Sequence, residues 1–409
     1  MANDLHDTEV FFPSLTQLRA FYEAARLGSI SRGSEALLRS QSAVTQAVQS
    51  LEAELEVTLF DRTRTGSYVT EMGRILQNRA ERCFSKMEAA IDRVQQSGAD
   101  NPRPPLASRR LTRAQILALI AVHEYGSFAQ AARHMPVSLA SMQRSARNLE
   151  KQLGRKLFAH TAHGISTNPV GARLSNELQL AIRELEWAQE EMRSYQGLLR
   201  GRLLVGSLLL AGNNYISSEL GKFAELHPQV NIRLINAPYD ELLSKLRGGS
   251  IDFLVGLLKS PPPTDDVVEE PLMFDSYTVA AARNHPLASM DDISCETLRE
   301  YEWVAPGVGA QRRRVFESIF GDGPLPRFSV ETHSLLTIFI LLSQSERMAV
   351  MTRSELSVDK KLGHNLSAID YPIQAPPATI GVTTRVNWQA TRLQRAFLDF
   401  LREGPHRTV

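Results

Sequence analysis

Two short polar rows in this 409-residue chain carry side chains able to bond the edges of nucleic-acid bases. The first comprises Ser40, Gln41, Ser42, Thr45, Gln46 and Gln49; the second comprises Ser138, Ser141, Gln143, Arg144 and Arg147. Both contain three- and four-residue steps, which on a helix bring side chains to one face. A glutamine amide can bond adenine N6 and N7 together, and a guanidinium can do the same with guanine O6 and N7. Catalytic chemistry is absent from the spacing. There is no nucleophile elbow, phosphate-binding glycine loop, dinucleotide fingerprint or metal-spaced His/Cys cluster. No enzyme, cofactor or metal site is expected.

The elements that would position these rows form a repeat. Gly28-Ser29-Ile30, Ser40, Leu51-Glu52, Leu55, Leu59-Phe60, Thr63 and Gly66 return 98 residues later as Gly126-Ser127-Phe128, Ser138, Leu149-Glu150, Leu153, Leu157-Phe158, Thr161 and Gly164. Direct counting from Gln17/Gln115 to Leu76/Leu174 finds fourteen identical pairs without a gap. In copy one, Thr16 reads as a helix cap and Leu18, Phe21, Tyr22 and Ala25 as an inner face ending at Gly28. A short helix follows over 31–38. Ser40 caps a third helix with Val44, Val48, Leu51 and Leu55 inward. Leu59-Phe60 and Tyr68-Val69 then flank a polar run that reads as a two-stranded wing. Copy two starts at Thr112. Its Ala131-Ala132 replaces Gly33-Ser34, so copy one is expected to pack more loosely there.

Three helices and a wing suggest a winged helix-turn-helix. The run Gln17-Leu18-Arg19-Ala20-Phe21, Ser40 to Gln46, Leu59-Phe60-Asp61-Arg62-Thr63 and Thr70-Glu71-Met72-Gly73 closely resembles the DNA-binding domain of LysR-type transcriptional regulators. The resemblance implies that the helix starting at Ser40 reads bases. It also implies that wing residues, here Arg62, Arg64, His160 and His163, hold phosphates.

Charge separates the copies. Residues 15–76 hold seven bases and seven acids, whereas 111–174 hold eight bases and two acids, a net of +6. The third helix of copy one has no Lys or Arg; copy two offers Arg144, Arg147, Lys151, Arg155 and Lys156. Copy two should therefore supply more of the phosphate attraction. Were one copy reduced to a scaffold, charge would point to copy one and the family match to copy two.

A longer helix over 74–96 follows copy one, and prolines after Ser97 end it. Behind copy two, Leu174, Leu178, Ala181, Leu185, Ala188, Met192, Tyr195 and Leu199 step as a coiled-coil seam about 40 Å long. Its acidic face (Glu177, Glu184, Glu186, Glu190, Glu191) reads as solvated surface. The seam wants a partner, either a second chain or the helix of 74–96.

From Gly201 strands and helices alternate, implying a parallel sheet. Expected elements include strands at 202–207, 230–235, 251–257, 277–280, 303–305, 348–351 and 379–384. Helices are expected over 215–226, 240–247, 312–320, 335–343 and 391–402. His227-Pro228, Gly249-Ser250-Ile251-Asp252 and His285-Pro286-Leu287 extend the resemblance to the effector domain of the same family, itself similar to periplasmic solute-binding proteins. In two-lobed sheets ligands sit at strand C-termini between lobes, where helix N-termini favour anions. Candidates are Ser207, Leu208, Asn213, Asn214, Gly256, Gln311, Arg312, His333 and Ser334. Of the adjacent Arg312, Arg313 and Arg314, most are expected on the surface.

The expected architecture is multidomain: two all-α winged helix-turn-helix domains with long linker helices, then a two-lobed α/β periplasmic-binding-protein-like effector domain. The divisions are 15–73, linker helix 74–96, hinge 97–110, 111–171, coiled-coil linker 172–199, and effector domain 201–409. Lobe I takes 201–276 and 378–409, and lobe II takes 277–377. The expected function is a sequence-specific, effector-responsive transcription regulator; the alternative is a ligand-binding oligomerisation protein whose helix-turn-helix modules serve as scaffold. The expected partners are double-stranded DNA, a small metabolite (a small organic acid by resemblance) and further copies of the chain, paired as dimer or tetramer through linker helices. The resemblance also leaves RNA polymerase open as a partner. MANDLHDTEVFFPS has no export signal, the two cysteines fit a reducing compartment, and the apolar run 335–342 is too short for a bilayer. A cytoplasmic location without membrane contact is expected.

Overall fold

A computed structural model describes residues 12–63, 66–96, 110–162, 164–195, 199–208, 212–259 and 261–404. They form two compact units that meet in sequence at Gly201 and Arg202.

The first unit is built from the repeat. Copy one has α1 (Leu15–Leu27), α2 (Ile30–Ala36), α3 (Gln41–Leu55), β1 (Phe60–Thr63), β2 (Gly66–Val69) and α4 (Glu71–Gln96). Copy two has α5 (Arg113–Tyr125), α6 (Phe128–His134), α7 (Leu139–Leu153), β3 (Phe158–Thr161), β4 (Gly164–Thr167) and α8 (Pro169–Ser194). Every boundary is displaced by the same 98 residues. Duplicated end signals explain this. Gly28 (φ 66°) and Gly126 (φ 78°) close α1 and α5 in the left-handed region, which a Cβ disfavours. Ser29 and Ser127 then accept N–H groups of α2 and α6.

Three expectations are corrected here. Thr16 lies inside α1, which starts at Leu15 behind an N-cap Ser14 that makes no side-chain cap bond. Thr112, the counterpart of Ser14 by position, does cap α5 in a capping box with Gln115. Gly33 does not loosen copy one: a Cβ there would stand 2.8 Å from Ala24 Cα, so the missing methyl lets α2 approach α1 closely. The seam also ends early, because α8 stops at Ser194 and Tyr195 is 54% exposed.

The partner of that seam is α4 of the same chain. Leu76, Ala80, Cys83, Met87, Ala90 and Val94 pack with Leu174, Leu178, Ala181, Leu185, Ala188 and Met192 in one continuous core. Numbers rise along one helix as they fall along the other: Arg79 pairs with Glu191 at 3.0 Å, Lys86 with Glu184 at 3.6 Å, and Arg93 with Glu177 at 3.5 Å. The pair is antiparallel. Arg79 and Glu184 are both 1% exposed and meet at 2.8 Å, so the acidic face is not solvated surface as expected. Burial works against the Arg79 charge, but the Glu191 and Glu184 carboxylates hold its pKa above the ordinary arginine value. Both cysteines are free, and burial pushes the Cys83 thiol up, away from the reactive thiolate.

The second unit has a five-stranded sheet, ordered β6-β5-β7-β14-β8. Its strands are β5 (Gly201–Ser207), β6 (Val230–Asn236), β7 (Phe253–Leu257), β8 (Val267–Asp275) and β14 (Ala378–Arg385). It is mixed, not parallel as expected: β5 runs parallel to β7, while β14 runs antiparallel to β7 and β8. Helices α9 (Asn213–Leu226), α10 (Tyr239–Arg247) and α15 (Arg392–Glu403) belong with it. A second group holds β9 (Tyr277–Ala282), β10 (Trp303–Ala305), β11 (Phe328–Glu331), β12 (Ala349–Thr352) and β13 (Leu366–Ile369). Here β12 and β13 flank β9 antiparallel, and β10 pairs β11 parallel and bridges to Met348. Helices α11 (Cys295–Arg299), α12 (Gln311–Phe320), α13 (Leu335–Ser343) and α14 (Arg353–Leu362) complete it. The chain crosses between the groups twice, at β8 to β9 and β13 to β14.

Each linker helix presses on its own module through a glycine. A Cβ on Gly73 would collide with the carbonyl oxygen of Leu59, and one on Gly171 with that of Leu157. Gly171→Ala should therefore force backbone apart and lower stability by about 1–3 kcal/mol, read as a lower urea midpoint at unchanged slope.

Candidate nucleic-acid interface and effector site

The polar rows occupy the outer faces of α3 and α7. Gln41, Ser42, Gln46 and Gln49 are exposed and Thr45 is half-buried; Val44, Val48 and Leu51 point inward. In α7, Ser141, Arg144 and Arg147 are exposed, Gln143 is half-buried, and Met142, Ala146 and Leu149 form the inner face. Ser40 and Ser138 are exposed but act as caps, accepting Ala43 N–H and Ser141 N–H at 3.3 Å. Their hydroxyls are thus committed first to the helix. On α7, Ala140, Gln143, Arg144, Arg147 and Asn148 line an open recess of about 410 Å³. His160 is exposed on β3. Arg62 belongs to β1; Arg64 and His163 lie outside the described residues.

Sequence reasoning missed the residue that ties each two-stranded hairpin to the third helix of its copy. Glu52 Oε1 accepts Leu59 N–H at 2.7 Å and Phe60 N–H at 3.2 Å. Glu150 Oε1 accepts Leu157 N–H at 2.8 Å and Phe158 N–H at 3.3 Å. A carboxylate holding two backbone donors is a strong, directional tie. The repeated Leu-Glu pair carried the signal, since an identical charged residue is unexpected among surface positions that have otherwise diverged. The other wing end is held by Thr70, which donates to Thr58 O at 2.7 Å, and by Asn168, which donates to Lys156 O at 2.8 Å.

The effector candidates fall into neighbouring groups. Ser207 is buried at the end of β5, where its carbonyl accepts from Asn236 at 3.2 Å. Leu208 lies against Gly256, where a Cβ would stand 2.8 Å from Leu208 Cγ. Asn213 begins α9, and Asn214 donates to Ser354 O at 3.5 Å, joining α9 to α14. Gln311 begins α12, and Arg312 behind it pairs with Glu355 of α14 at 2.5 Å. His333 stands against Gly307 of the loop before α12, where a Cβ would collide with its Nε2. Ser334 caps α13, accepting Thr337 N–H at 3.3 Å.

Two arginines expected on the surface are buried, Arg312 at 6% and Arg313 at 9% exposure. Carboxylates draw them in: Arg313 bonds Glu317 at 2.7 Å and Glu331 at 3.2 Å, besides Pro306 O. Glu355 itself was missed with α14. Thr352-Arg353-Ser354-Glu355 is a capping box, a signal present in the sequence directly after an apolar strand.

Two copies of a three-helix module with an exposed polar third helix, ahead of a separate α/β unit, define a helix-turn-helix regulator class. Comparisons agree. The family described as "Bacterial regulatory helix-turn-helix protein, lysR family" matches residues 15–74 and again 114–172, and "LysR substrate binding domain" matches 196–405. The HTH-type transcriptional regulator GalR of Pseudomonas putida is 29% identical over 379 residues, covering 92% of this chain and 94% of that protein. The HTH-type transcriptional regulator CfxR of Cupriavidus necator is 26% identical over 52% of this chain and 67% of its own length. Among solved structures, a full-length OxyR variant from Pseudomonas aeruginosa superposes with TM-score 0.53 at 19% identity, over 72% of this chain and 95% of that one. Full-length CbnR complexed with its target DNA gives 0.51 at 17%, over 71% and 98%. The chain belongs to the LysR family: it is a DNA-binding transcriptional regulator with an effector-binding domain.

Arg312→Ala should strand the buried Glu355 carboxylate, which is 2% exposed. The expected loss is about 3–5 kcal/mol of stability in the C-terminal unit, measured by urea unfolding followed at Trp303.

Proposed function

We propose that both copies act as winged helix-turn-helix domains that read DNA, copy one through Gln41, Ser42, Thr45, Gln46 and Gln49, and copy two through Ser141, Gln143, Arg144 and Arg147. One observation carries the reading: both third helices keep their polar rows outward while the inner faces, end caps and wing ties coincide position by position. A decayed scaffold copy would have no reason to keep Glu52 or Glu150 on its wing. Arg62 and His160, with Arg64 and His163 by resemblance, meet phosphates.

The second unit acts as a periplasmic-binding-protein-like pair of lobes, divided at the two crossings, with a small organic acid as effector. Arg312 supports this choice, since its Nη1 is buried and has no partner among the described residues while the opposite edge holds Glu355. An effector carboxylate reaching Nη1 would complete that set, with Ser207, Leu208, Asn213, Asn214, Gly256, Gln311, His333 and Ser334 around it. Effector binding moves one lobe against the other at the crossings, shifts the packing of associated copies, and so resets the spacing between the DNA-reading units of different copies. The protein catalyses no reaction and works in the cytoplasm. Copies associate as dimer or tetramer through surfaces other than the α4–α8 seam, which is filled within one chain, and RNA polymerase is a further partner at the promoter.

Binding to the DNA upstream of its own gene, followed across a salt series, tests the base-reading assignment. Gln46→Ala and Arg144→Ala/Arg147→Ala should each lose specific binding. The arginine pair should also flatten the salt slope by about one to two units. Loss confined to one variant would make the other module a scaffold.

A further inference from the structure

The linker helices carry a charge code. Positions 79, 86 and 93 of α4 are Arg79, Lys86 and Arg93, spaced one heptad apart; the equivalent positions of α8, 98 residues on, are Glu177, Glu184 and Glu191. All three equivalent pairs are opposite in sign. In the antiparallel seam each base meets an acid of the other copy, and Arg79 and Arg82 also reach Glu184.

The same geometry applied to two identical helices gives the opposite result. Two α4 helices would set Arg79 against Arg93 at both ends and Lys86 against Lys86 at the centre. Two α8 helices would set Glu177 against Glu191 and Glu184 against Glu184. Glu184 and Arg79 are almost wholly buried, so like-charge contacts at those two positions would be poorly solvated, whereas the contact at Arg93 lies nearer to solvent and weighs less. The apolar positions carry no such change of sign: small and large apolar side chains are present on both helices, Leu76, Ala80, Cys83, Met87, Ala90 and Val94 on one and Leu174, Leu178, Ala181, Leu185, Ala188 and Met192 on the other.

We propose that this charge exchange makes the linker pair obligately one copy-one helix with one copy-two helix. Each DNA-reading unit then always presents one glutamine-bearing head and one arginine-bearing head, and it fits duplex DNA with two unlike half-sites. The half under α3 favours A·T contacts and the half under α7 favours guanine. The operator is therefore asymmetric where a pair of identical heads would select an inverted repeat. The pairing stands on the structure alone; the asymmetric operator rests also on the base reading proposed above.

The full chain prepared in four forms tests this: unaltered, R79E/K86E/R93E, E177R/E184K/E191R, and all six exchanges together. Each threefold variant should lower the melting temperature of the N-terminal unit by on the order of 10 °C. The sixfold exchange, which restores opposite signs, should recover roughly half of that or more. Threefold variants that melt like the unaltered chain, or an exchange that recovers nothing, would overturn the code. Selection of binding sites from random duplexes by the unaltered chain should give two unlike halves, with Gln46→Ala relaxing one and Arg144→Ala the other. An inverted repeat with equal halves would overturn the operator assignment. Recovery of melting with no effect of either substitution on selection would leave the pairing standing and remove the base reading.

Discussion

The buried pair of Arg79 and Glu184 sets the register on which the first unit depends. Taking two charges out of water is unfavourable, and leaving either alone is worse, so α4 and α8 have one position in which both are satisfied. Apolar seams built from alanine, leucine and methionine tolerate sliding; a guanidinium bonded to Glu191 at its Nε and Nη2 and to Glu184 at its Nη1 does not. From that register the constraint passes outward. Gly73 and Gly171 let the linker helices lie directly on the carbonyls of Leu59 and Leu157. Those residues start the wings, and the same peptide segments are tied to α3 and α7 by Glu52 and Glu150. The spacing of the outer faces of α3 and α7 is thus set by contacts that have few ways to relax.

Much of this unit was legible because its punctuation is repeated. A serine cap or a left-handed glycine acts locally, so it marks an element end whatever surrounds it, and the 98-residue echo marked each end twice. The partner of the α8 seam was not legible from periodicity, which states that a face is apolar but not what covers it. The decisive signal was charge: acids at Glu177, Glu184 and Glu191 look like solvated surface on their own helix, and only comparison with Arg79, Lys86 and Arg93 gives them a destination. Gly33 misled for a related reason. Its low helix propensity is a local property, while its use is a close approach to Ala24 that exists only in the folded chain.

In the second unit the apolar strands were visible, the edge strands β6 and β12 among them, and the polar or very short ones were not. β8 sits at the end of its sheet and carries Glu269, Glu270 and Pro271, a composition an edge strand accepts and a central strand does not. β11 and β13 are four residues each, too short for alternation to show. α14 was hidden by its polar surface, and with it went Glu355, the carboxylate that draws Arg312 inward. The candidate effector residues were therefore named from strand ends and helix starts, whereas the group that orients the arginine lay on an unrecognised helix. A buried guanidinium with one satisfied edge is a better anion receptor than an exposed one, since its direction is fixed and its remaining donor faces little competition from water.

With both copies reading DNA as proposed, fixing two unlike heads in one unit would divide the work of binding. The α7 face brings Arg144 and Arg147 with Lys151 close by, so phosphate attraction on that side would be strong and depend little on sequence. The α3 face has no base along its length, and its glutamines contribute mainly through hydrogen bonds that need the right partner. Separate proteins of the second kind would spend most of their time off DNA. Held rigidly beside an arginine-bearing head, the neutral face is presented to base edges at a high effective concentration whenever its neighbour is bound. Its own affinity can then be weak without loss of discrimination, because a mismatched half-site forfeits hydrogen bonds that phosphate contacts elsewhere cannot replace. Sequence divergence between the copies is, on this argument, the expected outcome of duplication within one chain: once the linker pair fixed two heads together, selection no longer required each of them to bind alone.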